Sequence, residues 1–173
     1  MIVVAPLGYT RHAWYGAPNL LERGNVTLEG MRSEADVTHV IALVRKEFPI
    51  DARRIFAYGW SMGGAGALHL ALKHPTTLFA AVGVVAPAIG IPGRVAPFAT
   101  RERLTTIAHV PAFVAQGRLD GPVPVEQTRQ LVDDMRDAGL EAHYREMADE
   151  GHEPPSDATV RELVGFLSRR RRA

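Results

Sequence analysis

One serine in this sequence lies where a strand, a sharp turn and a helix are predicted to meet. Ser61 is the third residue of Gly-Trp-Ser-Met-Gly-Gly at 59–64, which follows the apolar run 54–58 and precedes the alanine-rich stretch 65–72. A strand that reverses into a helix within so few residues forces the serine into a strained backbone conformation and exposes its hydroxyl. The pattern predicts Ser61 as a nucleophile and the backbone N–H of Met62, at the positive end of the new helix, as a donor to an oxyanion.

Glycines flank this serine on both sides. Gly59 and Gly63 are expected to let the strand and the helix touch, because a side chain at either position would separate the two segments. The alternative interpretation is a glycine-rich strand-helix turn of an unrelated α/β domain. The match of both context and spacing favours the nucleophile.

A serine is a weak nucleophile without a base and an orienting acid, and both follow downstream. Residues 111–117 are predicted as a short buried strand, and Asp120 lies just beyond it. Residues 142–147 have strand character, and His152 follows them in a loop before Ser156 begins the last helix. Because ligands gather at the carboxyl ends of strands in open α/β sheets, these three strand ends are expected to converge. The sequence predicts His152 as the base and Asp120 as its acid.

Three other residues compete for these roles. Asp149 and Glu150 are so close to His152 that orienting its ring from behind would need a tight local turn, so Asp120 is preferred. His12 lies in a loop that can reach the predicted pocket, and it is the rival histidine. The remaining histidines are interpreted as structural or solvated.

The motifs at 59–64, 117–124 and 151–152 resemble those of α/β-hydrolases, over nearly the whole chain. More narrowly, they are similar to small esterases and predicted peptidases related to dienelactone hydrolase and polyester depolymerases. The resemblance implies that Ser61 attacks a carboxylic ester, that His152 transfers the proton, and that Asp120 holds the imidazole tautomer. It implies a small-molecule ester substrate and no cofactor.

The same resemblance indicates that amino-terminal elements are missing. The segment 1–6 resembles the family's fourth strand, and nothing before it corresponds to the third strand, whose loop gives the second oxyanion donor. The simpler interpretation is that the chain is part of a longer hydrolase. Alternatively, the first strand pairs beside the nucleophile strand and the segment 7–9 donates the missing N–H. Loss of one such donor typically costs about 2.7–4 kcal/mol in the transition state.

Two further functions stay open at this stage. A serine peptidase of the same fold would use the same three residues. A noncatalytic hydrolase remnant would instead bind a partner through the sheet edge that the missing strands leave exposed.

Composition bounds the remaining possibilities. The chain has 173 residues with 46% apolar content, enough for one domain spanning 1–173. It contains no cysteine, which excludes disulfides, thiol catalysis and cysteine-ligated zinc. No metal motif, nucleic-acid motif or membrane-spanning run is recognised, and the basic tail 169–173 is expected to be separate from the fold and solvated. Compartment and oligomeric state are left open.

Strand-like runs alternate with segments of helical periodicity along the chain. This alternation predicts an α/β fold, a mostly parallel sheet flanked by helices. Helices are expected from Ser33 to Pro49, from Val125 to Gly139 and after Ser156. About five strands are expected, and they include Ile2, Ile55, the run 80–86, Ala112 and Ala142.

Aromatic side chains near the predicted nucleophile are candidates for holding the apolar part of a substrate. Tyr9 and Trp14 lie in the loop after the first apolar run, and Trp60 precedes Ser61. A packed aromatic loop without a ligand is the alternative for the first two. The segment 87–109 is read as a short loop or one small helix, which favours an open cleft without a large lid.

Overall fold

Four parallel strands form the sheet in the computed structural model, which describes residues 1–10, 13–18, 27–76, 78–90 and 98–172. The strands are β1 (Phe56–Trp60), β2 (Ala81–Val85), β3 (Ala112–Gly117) and β4 (Ala142–Met147). The helices are α1 (Leu28–Glu47), α2 (Met62–Lys73), α3 (Arg101–Thr105), α4 (Val125–Asp137) and α5 (Asp157–Ser168), and a 3-10 turn covers Trp14–Gly16. The strands lie in the order β1, β2, β3, β4, each parallel to its neighbour, which confirms the predicted fold class.

Apolar side chains cover both faces of this sheet, as a parallel sheet requires. On one face α2 and α4 pack against β2 and β3, and Leu68, Met135 and Val114 belong to this larger cluster. On the other face α5 brings Leu163 against β2, where a Cβ on Gly83 would lie 2.8 Å from the Leu163 Cδ1. The sheet is therefore held between two helical layers, with the strand ends free to carry other residues.

Two of the predicted helices have the predicted ends. Helix α4 spans Val125–Asp137, and Gly139 follows it with a φ of 90°, a conformation that favours glycine. Helix α5 spans Asp157–Ser168, and the Ser156 hydroxyl accepts a hydrogen bond from the Thr159 N–H. Both predictions are confirmed.

Helix α1 begins six residues earlier than predicted. Its cap is Thr27, whose hydroxyl accepts a hydrogen bond from the Gly30 N–H at 3.0 Å, so the start at Ser33 was wrong. Ser33 lies buried inside the helix, and its hydroxyl accepts a hydrogen bond from the Tyr9 N–H at 2.9 Å. The sequence Ser-Glu-Ala-Asp at 33–36 is typical of a helix cap, but the N–H bonded to the Ser33 hydroxyl belongs to a distant segment.

The predicted first strand is wrong. None of the residues 1–8 is in a strand, and Val3 and Leu7 are 83% and 94% exposed. An apolar β-branched run becomes a strand only when a neighbour satisfies its backbone groups, and no strand of the described residues pairs with it. The idea that this run lies beside β1 is thereby also wrong.

The basic tail is not separate from the fold, which corrects the expectation for 169–173. Arg170 pairs with Glu141 and lies over the Phe166 ring at 4.4 Å, while the Arg172 N–H donates to the Arg53 carbonyl at 2.9 Å. These contacts attach residues 169–172 to the amino-terminal end of the sheet. Residue 173 lies outside the described residues.

The segment 87–109 contains one short helix, α3, as one of its two interpretations predicted. Residues 91–97 of that segment lie outside the described residues, so the expectation of an open cleft without a lid stays a prediction. No helix in the described part of the chain is long and apolar enough to cross a membrane.

Candidate active site

Ser61 occupies a strained turn between β1 and α2. Its φ is 54° and its ψ −119°, a conformation that costs a residue with a side chain about 1–3 kcal/mol. Hydrogen bonds hold it there: the Ser61 N–H donates to the Val85 carbonyl at 2.8 Å, and the Ser61 carbonyl accepts from the N–H groups of Ala65 and Ala88, each at 3.1 Å. The neighbouring strand and the new helix together fix the serine.

The two glycines beside this serine differ in what they do. A Cβ on Gly59 would lie 2.0 Å from the Gly63 carbonyl oxygen, so only glycine fits there. A Cβ on Gly63 would meet no atom within 4 Å, so the expectation of a steric need at that position was wrong. Strand β1 approaches the backbone carbonyl of Gly63, and the side where a Cβ of residue 63 would lie is open.

The structure brings Ser61, His152 and Asp120 together from three loops. The His152 Nε2 lies 2.9 Å from the Ser61 Oγ, and the His152 Nδ1 lies 2.7 Å from the Asp120 Oδ2. The three residues follow β1, β4 and β3 at the same edge of the sheet, because parallel strands end at one edge. A hydroxyl, an imidazole and a carboxylate in this order can transfer a proton away from the hydroxyl. The catalytic roles themselves stay predictions.

Asp120 is enclosed by hydrogen-bond donors. Its side chain has 0% exposure, and its Oδ1 accepts from the Val123 N–H at 2.7 Å. Its Oδ2 accepts from both the His152 Nδ1 and the Gln116 Nε2, the second at 2.9 Å. Three donors therefore satisfy both oxygens of this buried carboxylate and hold it in position.

Sequence reasoning missed Gln116. It is a fully buried polar residue at the end of β3, whose other residues before the final glycine are apolar. A glutamine that interrupts a buried apolar strand two residues before a loop was the available signal, because buried amides need partners.

The loop that carries His152 is bound closely to the loop that carries Asp120. The Leu119 N–H donates to the Glu150 carbonyl at 2.9 Å, and a Cβ on Gly117 would lie 2.5 Å from the same oxygen. Glycine at 117 therefore allows the two loops to touch. Of the rival acids, Glu150 is engaged here through its backbone carbonyl, whereas the His152 ring is bonded to Asp120.

Trp60 lies against the imidazole. The centroids of the Trp60 and His152 rings are 5.2 Å apart, with an angle of 34° between the ring planes. Trp60 is half-buried and also packs against the cluster under α5. The contact restricts the imidazole on one face; binding of substrate by Trp60 stays a prediction.

The other aromatic candidates lie in the amino-terminal segment. Tyr9 is 58% exposed, and Trp14 packs against the larger core cluster at the 3-10 turn. The Trp14 packing corresponds to the alternative interpretation of this loop, and substrate contacts by either residue stay predictions. The rival histidine, His12, lies outside the described residues.

Met62 is the first residue of α2, so its N–H has no carbonyl partner within the helix. That leaves it available to an oxyanion. Of the residues expected to give a second donor, Tyr9 already donates its N–H to the Ser33 hydroxyl. Within the described residues, no group of three or more His, Cys, Asp or Glu side chains could hold a metal ion.

Comparison with known proteins points to one superfamily. A family model described as serine aminopeptidase, S33, matches residues 29–109, which include Ser61 and the elements around it. This match ends before Asp120 and His152.

Solved structures with a similar fold include two esterases and the protein SOBER1. A thermostable esterase has a TM-score of 0.65 and 24% identity, over 82% of this chain and 37% of its own. SOBER1 from Arabidopsis thaliana has a TM-score of 0.62 and 20% identity, over 80% of this chain and 63% of its own. A ferulic acid esterase has a TM-score of 0.63 and 21% identity, over 76% of this chain and 58% of its own.

This chain thus spans less than two thirds of the length of each of these three proteins. Their likeness to it is one of fold, since the identities are low. The narrower resemblance to dienelactone hydrolase and polyester depolymerases stays a prediction. The parallel sheet and these structures show that the chain has the α/β-hydrolase fold, and the family-model match around the strained serine supports its assignment to that superfamily.

Proposed function

We propose that this protein is a serine hydrolase that cleaves carboxylic esters through a covalent acyl-enzyme. The observation that carries the proposal is the chain of two hydrogen bonds, 2.9 Å from Ser61 to His152 and 2.7 Å from His152 to Asp120. The likeness to esterases is consistent with it. The fold and the comparisons support a hydrolase in general. Cleavage of esters is the more specific part of the proposal.

The proposed reaction begins at the Ser61 hydroxyl. His152 accepts the hydroxyl proton on Nε2 while the Ser61 oxygen bonds to the ester carbonyl carbon. His152 then gives that proton to the leaving alcohol as the carbon–oxygen bond breaks. Water, deprotonated by the same imidazole, then bonds to the acyl carbon, and the imidazolium returns this proton to the Ser61 oxygen as the acid leaves. Asp120 orients the imidazole and stabilises the imidazolium through its Oδ2.

The negative charge that develops on the carbonyl oxygen needs donors. The Met62 N–H, at the positive end of α2, is the proposed donor. With one such donor, turnover is expected to be about 100- to 1,000-fold below that of a hydrolase with two.

The test is hydrolysis of a short-chain nitrophenyl ester together with labelling by a fluorophosphonate. Ser61→Ala should abolish both, because the nucleophile is lost while the bonds made by the Ser61 backbone remain. Labelling needs only an activated serine, so it reports on Ser61 even when turnover is slow.

Ser168→Ala is the matched control. Ser168 is exposed, and its hydroxyl donates only to the Gly165 carbonyl of its own helix, so activity and labelling should match those of the unchanged chain. Equal hydrolysis and labelling by Ser61→Ala would refute the mechanism.

A serine peptidase is the second candidate, because the matching family model describes an aminopeptidase. The same hydroxyl and imidazole would attack an amide. Aminoacyl nitroanilides measured beside nitrophenyl esters separate the two, since a peptidase should hydrolyse the anilide at a rate comparable to the ester.

A noncatalytic binding role is supported by one other feature. Strand β1 lies at the edge of the described sheet, and its residues carry no charge that would discourage pairing. A binding remnant would leave Ser61 unlabelled by the fluorophosphonate, whereas an esterase would not.

A further inference from the structure

A glutamine lies at the carboxyl end of β3 with no exposed surface. Gln116 has 0% exposure, and so does Thr128 of α4 beside it. A buried amide costs free energy unless both its oxygen and its nitrogen have partners. The partners of Gln116 therefore indicate why an amide stands among apolar residues.

All of its polar atoms are bonded. Its Nε2 donates to the Asp120 Oδ2 at 2.9 Å and to the Val123 carbonyl at 3.1 Å, with a longer approach of 3.3 Å to the Gly117 carbonyl. Its Oε1 accepts from the Thr128 hydroxyl at 2.9 Å. An amide oxygen cannot donate, so the hydroxyl must. This bond sets the orientation of the amide, with its nitrogen toward Asp120.

The carboxylate oxygen that receives this amide is the one that receives the imidazole. The Asp120 Oδ2 accepts from the Gln116 Nε2 and the His152 Nδ1, while Oδ1 is bound to the Val123 N–H. Three donors from three directions leave the carboxylate no freedom to rotate. The Asp120 side chain has 0% exposure, so these donors and not bulk solvent satisfy it.

We propose that Gln116 and Thr128 are positioning residues for the reaction described above, holding the Asp120 carboxylate in place with its Oδ2 aligned with the His152 Nδ1–H. The hydrogen bonds of both side chains go to each other, to Asp120 and to backbone carbonyls. They act on the reaction through Asp120. The inference rests on the proposed function, because alignment of an imidazole matters only if that imidazole moves a proton.

A prediction about kinetics follows from this indirect action. Loss of the Thr128 hydroxyl frees the amide to turn, and the Asp120 carboxylate then loses a donor. The imidazole is less well held when the Ser61 proton must move, whereas binding of the substrate is not touched. The variants should therefore lower kcat and leave KM nearly unchanged.

The test compares two substitutions at one position. Thr128→Val keeps the shape and removes the hydroxyl, and should lower kcat about tenfold, the rate equivalent of one buried hydrogen bond. Thr128→Ser restores the hydroxyl and should recover most of the loss. Gln116→Met should lower kcat at least as much as Thr128→Val, while Gln130→Met on the exposed side of α4 should not change it.

A second readout does not need turnover. NMR can measure how fast the Nδ1–H proton of His152 exchanges with water. This exchange should be faster in Thr128→Val than in the unchanged chain, and Thr128→Ser should bring it back toward the original rate. Urea unfolding of each variant shows that the comparison is made on folded protein. If Thr128→Val does not fold, Thr128→Ala removes the same hydroxyl without adding a group.

Two results would overturn the proposal. In the first, Thr128→Val and Gln116→Met lower the stability but change neither kcat nor the exchange of the His152 proton. Both residues would then be merely structural. The other is an equal loss in Thr128→Val and Thr128→Ser. Failure of the proposed function would look different: Ser61 of the unchanged chain would not react with fluorophosphonate, while the His152 proton would still report on its alignment.

Discussion

The predicted nucleophile lies at one of two strained regions of the described backbone; the other is the 3-10 turn at Trp14 and Tyr15. Ser61 and Ala86, which follow β1 and β2, both have positive φ, at 54° and 43°. Such conformations persist only when the surrounding structure holds them, and at Ser61 the Val85 carbonyl and the first turn of α2 do so. The strain directs the serine side chain out of the turn and toward His152. At this scale the function depends on backbone geometry as much as on the reactive groups.

Substitution of the two glycines beside Ser61 tests that geometry. Gly59→Ala should lower the free energy of unfolding by about 3 kcal/mol or more, because its Cβ would overlap the Gly63 carbonyl. Gly63→Ala, the matched control, should be neutral or stabilise by up to about 1 kcal/mol, since alanine favours helix and its Cβ meets nothing. Urea denaturation measures both. Equal costs at the two positions would contradict this account of the turn.

Among the elements, α1, α3 and α5 each begin at a capping hydroxyl, and α1 shows how such signals compete. Thr27 and Ser33 both have hydroxyls bonded to a backbone N–H. Only Thr27 has the extended backbone of a cap, with φ −74° and ψ 165°. The Ser33 hydroxyl instead joins α1 to the amino-terminal segment at Tyr9.

Thr27→Ala should therefore weaken α1. The expected loss is about 1 kcal/mol in the free energy of unfolding, because the Gly30 N–H loses its acceptor. Thr38→Ala, in the middle of the same helix, should be neutral or slightly stabilising, since alanine has the higher helix propensity. Thermal unfolding followed by circular dichroism distinguishes them; a larger loss for Thr38→Ala would place the start of the helix elsewhere.

A buried ionic group joins α1 to α2. The His69 Nε2 donates to the Glu34 Oε2 at 3.0 Å, and Lys73 pairs with the other oxygen of Glu34. Burial lowers the pKa of His69 below its usual value, although the contact with Glu34 opposes this. Burial by itself would raise the pKa of Glu34, but hydrogen bonds from Lys73 and His69 bring it below its usual value.

Both shifts make the folded protein less stable in acid. With a lowered pKa in the folded state, each group binds its proton first in the unfolded chain, so stability is full above the unfolded pKa and falls below it. For His69 the decrease in stability begins at about pH 6.5, and Glu34 adds a further decrease at lower pH. His69→Gln should reduce the loss of unfolding free energy between about pH 7 and about pH 5.5, measured by urea denaturation.

His39→Gln is the control for that substitution, because His39 is an exposed histidine on α1. It should show the same acid dependence as the unchanged chain. An identical dependence in His69→Gln would show that the buried pair does not set the acid limit.

In the whole molecule, the two ends of the sheet differ in function: one holds the candidate active site and the other binds the basic tail. The carboxyl ends of the strands bring Ser61, Asp120 and His152 together. The amino-terminal end receives the basic tail, where Arg171 pairs with Asp51 at 3.2 Å and Arg170 pairs with Glu141. The tail thus connects α5 to the segments before β1 and β4, away from the site.

Arg170→Ala should lower the free energy of unfolding by about 1 kcal/mol, the sum expected for a surface ion pair and a cation–π contact with Phe166. Activity should be unchanged, because the tail lies at the opposite end of the sheet. Arg169→Ala is the control, since Arg169 is exposed, and should have no measurable effect. Chemical denaturation at low and high salt measures the difference, which should shrink as salt screens the ion pair.

The amino-acid sequence alone predicts the α/β class, the turn at Ser61, the end of α4 and the start of α5. These follow from local causes: apolar periodicity, caps, and glycines at turns. It also named Ser61, Asp120 and His152, because residues that follow parallel strands gather at one edge of a sheet.

The other features required the three-dimensional structure. It showed that the run 1–6 forms no strand, that Ser33 is not a cap, and that residues 169–172 pack against the fold. It also showed that Gln116 and Thr128 enclose Asp120. Each of these features depends on a partner that is distant in sequence. That partner is a pairing strand, a backbone N–H or a carboxylate. A local pattern predicts which partner a group needs, but only the folded chain decides which one it meets.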